Sequence, residues 1–143
     1  MLLRLLAIGA LLALASIAYA WWSRQQGRVR HVVVAGALTP VDLGAPRGQR
    51  ATFVQFSTPM CAKCPPTRDL LLRVAADDPY VTHIEIDASE HLDLARRLDI
   101  MRTPTTLVLD AAGVVVSRMN GAPSEAQARA ALAEVPPPPE YSI

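Results

Sequence analysis

Residues 51–76 read ATFVQFSTPMCAKCPPTRDLLLRVAA, and the order of parts within this stretch sets the architecture expected of the rest. Ala51 to Ser57 is an apolar, β-rich run of strand length, which predicts a buried central strand. Thr58-Pro59 breaks it. From Thr67 to Ala76, Leu70, Leu71, Val74 and Ala75 recur at helical spacing, which predicts an amphipathic helix. Between the two elements lie Cys61 and Cys64, the only cysteines of the chain.

A disulfide across so short a loop removes little chain entropy and is a poor structural staple. A zinc site normally takes four ligands, and the sequence has no second CxxC and no paired-histidine motif to complete one. Redox chemistry is the use that remains. At a strand-to-helix junction, unpaired N–H groups and the positive end of the helix dipole favour a thiolate, and such settings lower a thiol pKa from about 8.5 towards roughly 3.5–7.5. Cys61 is therefore the expected exposed nucleophile. Cys64, one turn further in, is expected to resolve the mixed disulfide by attacking Cys61. Lys63 adds a nearby positive charge, although an exposed solubilising lysine reads equally well. Pro65 and Pro66 are tolerable in a first helical turn, where most N–H groups have no partner to lose.

Working outwards, Val81 to Asp87 (VTHIEID) alternates apolar and polar residues and predicts a strand with one face inward. Asp87 or Ser89 is a candidate cap for a helix running to about Leu98, with Leu92, Ala95 and Leu98 on one face. Thr105–Asp110 and Val114–Met119 flank Ala111-Ala112-Gly113, the pattern of an antiparallel hairpin. Ser124 to Gln127 is a capping box opening a last helix, and Pro136 to Pro139 ends it in an extended tail. Upstream, His31 to Ala35 reads as an edge strand, and Thr39 to Gln49, with two prolines and two glycines, as a loop. Alternation followed by a hairpin and a terminal helix predicts an α/β fold, a mixed sheet with helices on both faces.

The formal charge of +1 gives no basic excess for nucleic acid, and 5% aromatic residues leave little for base stacking. Leu2 to Trp22 holds 21 residues with one charge, Arg4, and suits a single membrane-spanning helix with Tyr19, Trp21 and Trp22 as an interfacial belt. The rival reading is a signal peptide cleaved after Ala20, through an A-x-A site at Ala18-Tyr19-Ala20. The retained anchor is preferred, because the apolar run continues through both tryptophans. The expected organisation is an anchor at 1–22, a juxtamembrane linker with a possible edge strand at 23–41, a folded domain at 42–135 and a proline-rich tail at 136–143. Arg24, Arg28 and Arg30 lean the domain towards the cytoplasm by the positive-inside rule.

The ordered set FVQFSTPMCAKC, VTHIEID, RTPTTLVLD and MNGAPS resembles the thioredoxin superfamily, from roughly Asp42 to Val135. With the anchor, it is similar to membrane-tethered thioredoxin-like proteins that serve cytochrome c maturation or general thiol reduction. The resemblance implies a thioredoxin-like fold and a thiol–disulfide oxidoreductase that needs no cofactor beyond the Cys61–Cys64 pair. Protein disulfides or dithiols would be its substrates, with an unidentified electron donor or acceptor. It further implies that Pro104 is a cis-proline beside the active site and that Thr103 offers its backbone to a bound substrate strand. Met60 stands where many members have tryptophan, and Gly121 where a glycine lines the substrate groove. Tethered members more often face outwards, against the charge count, so an extracytoplasmic or secreted domain stays open.

Two departures from the family pattern concern proton transfer. Gln55 occupies the position of a buried acid, and an amide takes up no proton. His83 aligns with a lysine beside that acid and is a candidate proton acceptor or a structural strand histidine. The middle pair Ala62-Lys63 carries over no redox potential, so the direction of catalysis stays open. One alternative function is a soft-metal carrier holding Cu(I) on both cysteines with His83 or His91. Another is a binding module in which the cysteines are incidental. No motif marks a metal site of its own, and a monomer is expected.

Overall fold

The computed structural model describes residues 1–25, 29–30 and 36–137. The edge strand expected at His31–Ala35 lies outside the described residues, as do positions 138–143 of the tail. Among the described residues ten elements follow one another: α1 (Leu2–Gln25), β1 (Val29–Arg30), α2 (Pro40–Leu43), β2 (Ala51–Ser57), α3 (Cys64–Ala76), β3 (Val81–Asp87), α4 (Leu92–Arg97), β4 (Thr105–Asp110), β5 (Val115–Asn120) and α5 (Glu125–Ala133).

The strands form one mixed sheet in the order β1-β5-β4-β2-β3. Only β2 and β3 run parallel, joined through the α3 crossover; β2–β4, β4–β5 and β1–β5 are antiparallel. All seven residues of β2 are buried, as a strand with neighbours on both sides and helices on both faces requires. Its alternate side chains feed two cores. Phe53 joins Leu71, Val74, Ala128 and Leu132 beneath α3 and α5, while Val54 and Phe56 join Leu43, Ala95 and Leu98 beneath α2 and α4. The expected mixed sheet with helices on both faces is the one observed.

Helix starts differ from expectation where caps outrank periodicity. α3 begins at Cys64, three residues before the periodic run, because Pro65 and Pro66 fit a first turn whose N–H groups need no intrahelical partner. α2 forms inside the segment expected to be a loop. Thr39 and Asp42 make a reciprocal capping box, with Thr39 N–H donating to Asp42 Oδ2 at 2.9 Å and Asp42 N–H to Thr39 Oγ1 at 3.3 Å. Pro40 takes the first helical position, and the same proline had suggested a loop. Asp87 and Ser89 do not cap α4. The Asp87 carboxylate instead accepts from the Ser89 N–H at 2.8 Å to close a turn, and Leu92 is exposed while Ala95 and Leu98 are buried. The capping box of α5 forms as read, with Ser124 N–H to Gln127 Oε1 at 2.8 Å and Gln127 N–H to Ser124 Oγ at 3.2 Å.

Two features belong to the N-terminal segment. Val29 and Arg30, in the segment expected to be a polar linker, add a short strand along β5, whose outer edge would otherwise leave its N–H and C=O groups unpaired. α1 is exposed throughout Leu6–Gln25, and this window has a mean hydropathy of 1.7, enough by length and composition to cross a membrane. A signal sequence near an N-terminus shares those properties.

Asp42 couples α2 to α4 through Arg97 Nη2 at 2.6 Å. Hydrogen bonds from Thr39, then from Arg97, hold its carboxyl at about 2, below the 3.8 of a free aspartate. A depressed acid stabilises the fold above its unfolded pKa, and that contribution disappears as pH falls through the folded value. Asp42→Asn is therefore expected to lower the melting temperature at neutral pH. The gap from the native chain should close between about pH 4 and pH 2, and a gap that stays constant through this range would contradict the assignment.

Candidate active site

β2 delivers the chain to the C-terminal end of the sheet, and α3 carries it back down one face. Cys61 and Cys64 sit at this junction, bonded as a disulfide with their Cα atoms 5.4 Å apart. Two turns shape the loop: Cys61 N–H donates to Thr58 O at 3.1 Å, and Cys64 N–H to Cys61 O at 3.1 Å. The cysteines differ in access. Cys64 is 2% exposed, whereas Cys61 is half-buried. The N–H of Cys64 is engaged and Pro65 and Pro66 have none, so the start of α3 acts on Cys61 through its dipole more than through free donors. Lys63 is exposed just before the helix.

Behind the disulfide, Gln55 is fully buried on the face of β2 that α3 covers. Its Nε2 donates to the Cys64 carbonyl at 3.0 Å, and its Oε1 lies 3.1 Å from His83 Nε2. A carbonyl only accepts, so the amide is oriented with its nitrogen towards Cys64. Its oxygen then only accepts too, which places a proton on His83 Nε2. Burial pushes the His83 pKa below its usual value; Glu85 opposes this and Arg68 adds to it. Gln55 thus stands between His83 and the cysteine helix. The structure brings both residues to the site, with His83 reaching Cys64 only through the amide.

A second polar pair escaped the sequence reading. Arg68, one turn after Cys64 on α3, meets Glu85, two residues after His83 on β3. Its Nε lies 2.5 Å from Glu85 Oε2 and its Nη2 2.9 Å from Oε1. Ser57 Oγ donates to the same carboxylate at 2.7 Å. Arg68 first, then Ser57, hold the Glu85 pKa below the ordinary glutamate value despite partial burial. Arg68, Glu85 and Ser57 line a cavity of about 540 Å³ together with Cys61 and Cys64. The signal was present in the alternation of VTHIEID, which turns His83, Glu85 and Asp87 towards α3, but a partner four residues into that helix is set only by packing.

On the other side of Cys61, Thr58 Oγ1 and Thr103 Oγ1 are 3.2 Å apart and tie the cysteine loop to the loop before β4. The Thr103–Pro104 bond is cis and Pro104 is buried. Gly121, at φ +88°, donates its N–H to Pro104 O at 2.7 Å. Met60 is 94% exposed beside the disulfide, and Met101, which the sequence reading passed over, is 83% exposed near Thr103. Thr103 thus meets the cysteine loop through Thr58, and Gly121 is bonded to Pro104 beside it. Among the described residues no group of three or more His, Cys, Asp or Glu side chains is placed to hold a metal ion.

The β2–β3–β4–β5 sheet with its covering helices superposes on solved structures. Thioredoxin from Fasciola hepatica superposes with a TM-score of 0.55 at 21% identity, over 62% of this chain and 84% of its own. Thioredoxin NaTrxh from Nicotiana alata gives 0.54 at 24% identity, over 62% and 76%. Oxidised mitochondrial thioredoxin 3 from Saccharomyces cerevisiae gives 0.54 at 17%, over 61% and 80%. The chain has the thioredoxin fold. No family model matches its sequence, and no curated protein does. Gln55, His83 and the Arg68–Glu85 pair furnish the side of the cysteine loop that α3 covers.

Because the His83 pKa is depressed from 6.5, the unfolded chain takes up a proton there first as pH falls. Stability linked to His83 is present above that pH and is lost below it. Replacement His83→Gln should flatten the stability profile just below pH 6.5. Nitrogen-15 NMR of the native imidazole should show the Nε2–H tautomer, and the Nδ1–H tautomer would refute the assigned amide orientation.

Proposed function

We propose that the protein is a membrane-anchored thiol–disulfide oxidoreductase acting on protein disulfides or dithiols. The observation that carries this reading is the Cys61–Cys64 disulfide at the β2–α3 junction of a thioredoxin fold, its first cysteine accessible and its second buried. In the reducing direction the Cys61 thiolate attacks a substrate disulfide. One Cys61–substrate S–S bond forms, and the other substrate sulfur leaves as a thiolate that takes up a proton. Cys64, deprotonated, then attacks the Cys61 sulfur, forms the Cys61–Cys64 bond and releases the second substrate thiolate. Two electrons pass from protein to substrate. Oxidation is the same sequence reversed.

Supporting roles follow from contact. Pro104, Thr103, Gly121 and Met60 form the wall against which a substrate strand docks. Gln55 holds the carbonyl of Cys64, and His83 fixes Gln55; both are positioning residues, since neither reaches a sulfur directly. α1 is retained as a single-pass anchor, and Arg24, Arg28 and Arg30 favour a cytoplasmic domain.

Titration of the chain in glutathione or dithiol buffers, read by mass spectrometry, should reveal one reversible two-electron couple. With Cys61→Ser, exchange should fall by at least about 10³-fold, because the attacking thiolate is gone. With Cys64→Ser, a mixed disulfide on Cys61 should accumulate. No reversible couple, with one tightly held Cu(I) per reduced chain, would replace this reading by the metal carrier. Gln55→Glu should introduce a titrating step into the pH profile of mixed-disulfide resolution. A profile identical to the native one would remove position 55 from proton handling.

A further inference from the structure

Resolution needs a Cys64 thiolate, and burial in an apolar setting raises a thiol pKa. The group that reaches Cys64 from β2 offers no help as a base. Gln55 is an amide, and His83 meets that amide rather than the sulfur. A buried thiolate without a base has to be favoured by hydrogen-bond donors instead.

α3 carries one hydroxyl on the same buried side. Its buried residues are Cys64, Thr67, Leu71, Val74 and Ala75, so Thr67 lies one turn after Cys64 and faces the sheet with it. Side chains three apart on a helix have Cβ atoms about 5–6 Å from each other. Each also leans towards the helix N-terminus, which brings the Thr67 side chain over the turn that holds Cys64. Thr67 is 2% exposed, and its Oγ1 has no hydrogen-bond partner among the described residues. A helical threonine commonly bonds back to a carbonyl three or four residues earlier. Here both carbonyls already accept: Cys64 O from Gln55 Nε2 at 3.0 Å, and Lys63 O from the Thr67 N–H at 3.2 Å. A valine would fill the same space without burying an unpaired hydroxyl, which is unfavourable in a core. Thr106 Oγ1 and Ser117 Oγ are also buried without a partner among the described residues. They belong to the sheet, opposite Gln55 and Val108, and neither shares the helical turn of Cys64.

We propose that the Thr67 hydroxyl is the hydrogen-bond donor for the Cys64 sulfur once the disulfide has opened. The proposal rests on the thiol–disulfide reading of Cys61 and Cys64. In the disulfide the Cys64 sulfur is a weak acceptor, and the hydroxyl is idle. When Cys61 is held in a mixed disulfide, Cys64 gives its proton to solvent through the cavity that both cysteines line. The resulting thiolate is a charged acceptor, and Thr67 O–H donates to it while keeping its own proton. Cys64 then attacks the Cys61 sulfur, the Cys61–Cys64 bond forms and the substrate leaves as a thiolate. Thr67 thus favours the nucleophile without titrating.

Other charges act on the same sulfur. Lys63 precedes it, and His83 reaches it through Gln55. Arg68, Glu85, Asp87, Glu90 and His91 line the cavity on its β3 side. A Thr67 substitution removes none of these groups, so a change it causes reads the hydroxyl.

The test uses Ellman's reagent, an aromatic disulfide, on the full, reduced chain in detergent. Attack by Cys61 releases one aryl thiolate and leaves an aryl mixed disulfide on Cys61. Attack by Cys64 releases the second and closes the Cys61–Cys64 bond, so the two steps are read separately. Thr67→Val should slow the second release about tenfold at neutral pH and raise its pH midpoint by about one unit, the same tenfold change in thiolate fraction. The first release should be unchanged. Thr67→Ser keeps the hydroxyl and should restore the second release. Thr106→Val, which removes the hydroxyl opposite Gln55, should leave both releases as they are. The oxidised Thr67→Val chain should melt at or above the native temperature, because its hydroxyl has no partner to lose. An unchanged second release in Thr67→Val would overturn the proposal, as would a slower one with an unmoved pH midpoint. Equal slowing in Thr106→Val would assign the effect to general polarity and overturn a specific donor. A lower melting temperature of the oxidised Thr67→Val chain would show the hydroxyl already engaged and refute its idle state. A native chain that releases one aryl thiolate and keeps the mixed disulfide would instead overturn the thiol–disulfide reading.

Discussion

A strand buried on every residue has one place to go, the middle of a sheet covered on both faces, and β2 is that strand. Its in-register pairing with β3 on one side and β4 on the other brings three segments to a common end. These are the cysteine loop after β2, the turn after β3 and the Thr103–Pro104 loop before β4. Loosening β2 would separate the disulfide from the proline loop and from the acid and histidine of β3. The chemistry of Cys61 therefore depends on apolar side chains such as Phe53 and Phe56 that never approach a sulfur.

The α3-facing side of that end is furnished with polar groups, which are costly to bury unless each is satisfied. Gln55 spends both ends of its amide, one on the Cys64 carbonyl and one on His83. Glu85 receives two bonds from Arg68 and one from Ser57. These contacts fix the first turn of α3 from below and from the side. A buried amide cannot change protonation, so the group that holds the Cys64 carbonyl carries no titrating proton of its own. The Arg68 guanidinium adds a fixed positive charge to the cavity that both cysteines line.

The N-terminal segment and the domain meet through the sheet as well as through the chain. An exposed edge of β5 would be a site for unwanted pairing, and Val29 and Arg30 cover part of it.

Much of this was readable from residues alone. The runs Ala51–Ser57, Val81–Asp87 and Thr105–Asp110 declared their strands because alternation and apolar runs survive any tertiary context. Ser124 and Gln127 declared a helix start because a capping box is complete within four residues. Cys61 and Cys64 declared a linked pair at a strand-to-helix junction because their spacing is local. α2 was hidden, since Pro40 and Gly44 signal a loop as readily as a capped single turn. The Arg68–Glu85 pair, the path from Cys64 through Gln55 to His83 and the entry of β1 beside Met119 were also hidden. Each joins groups on different elements, between 9 and 90 positions apart in the sequence. The sequence by itself determined the elements and the place of the cysteine pair, which depend on neighbours along the chain. Only the tertiary structure decided what supports that pair, because those contacts exist only after the strands have taken their places in the sheet.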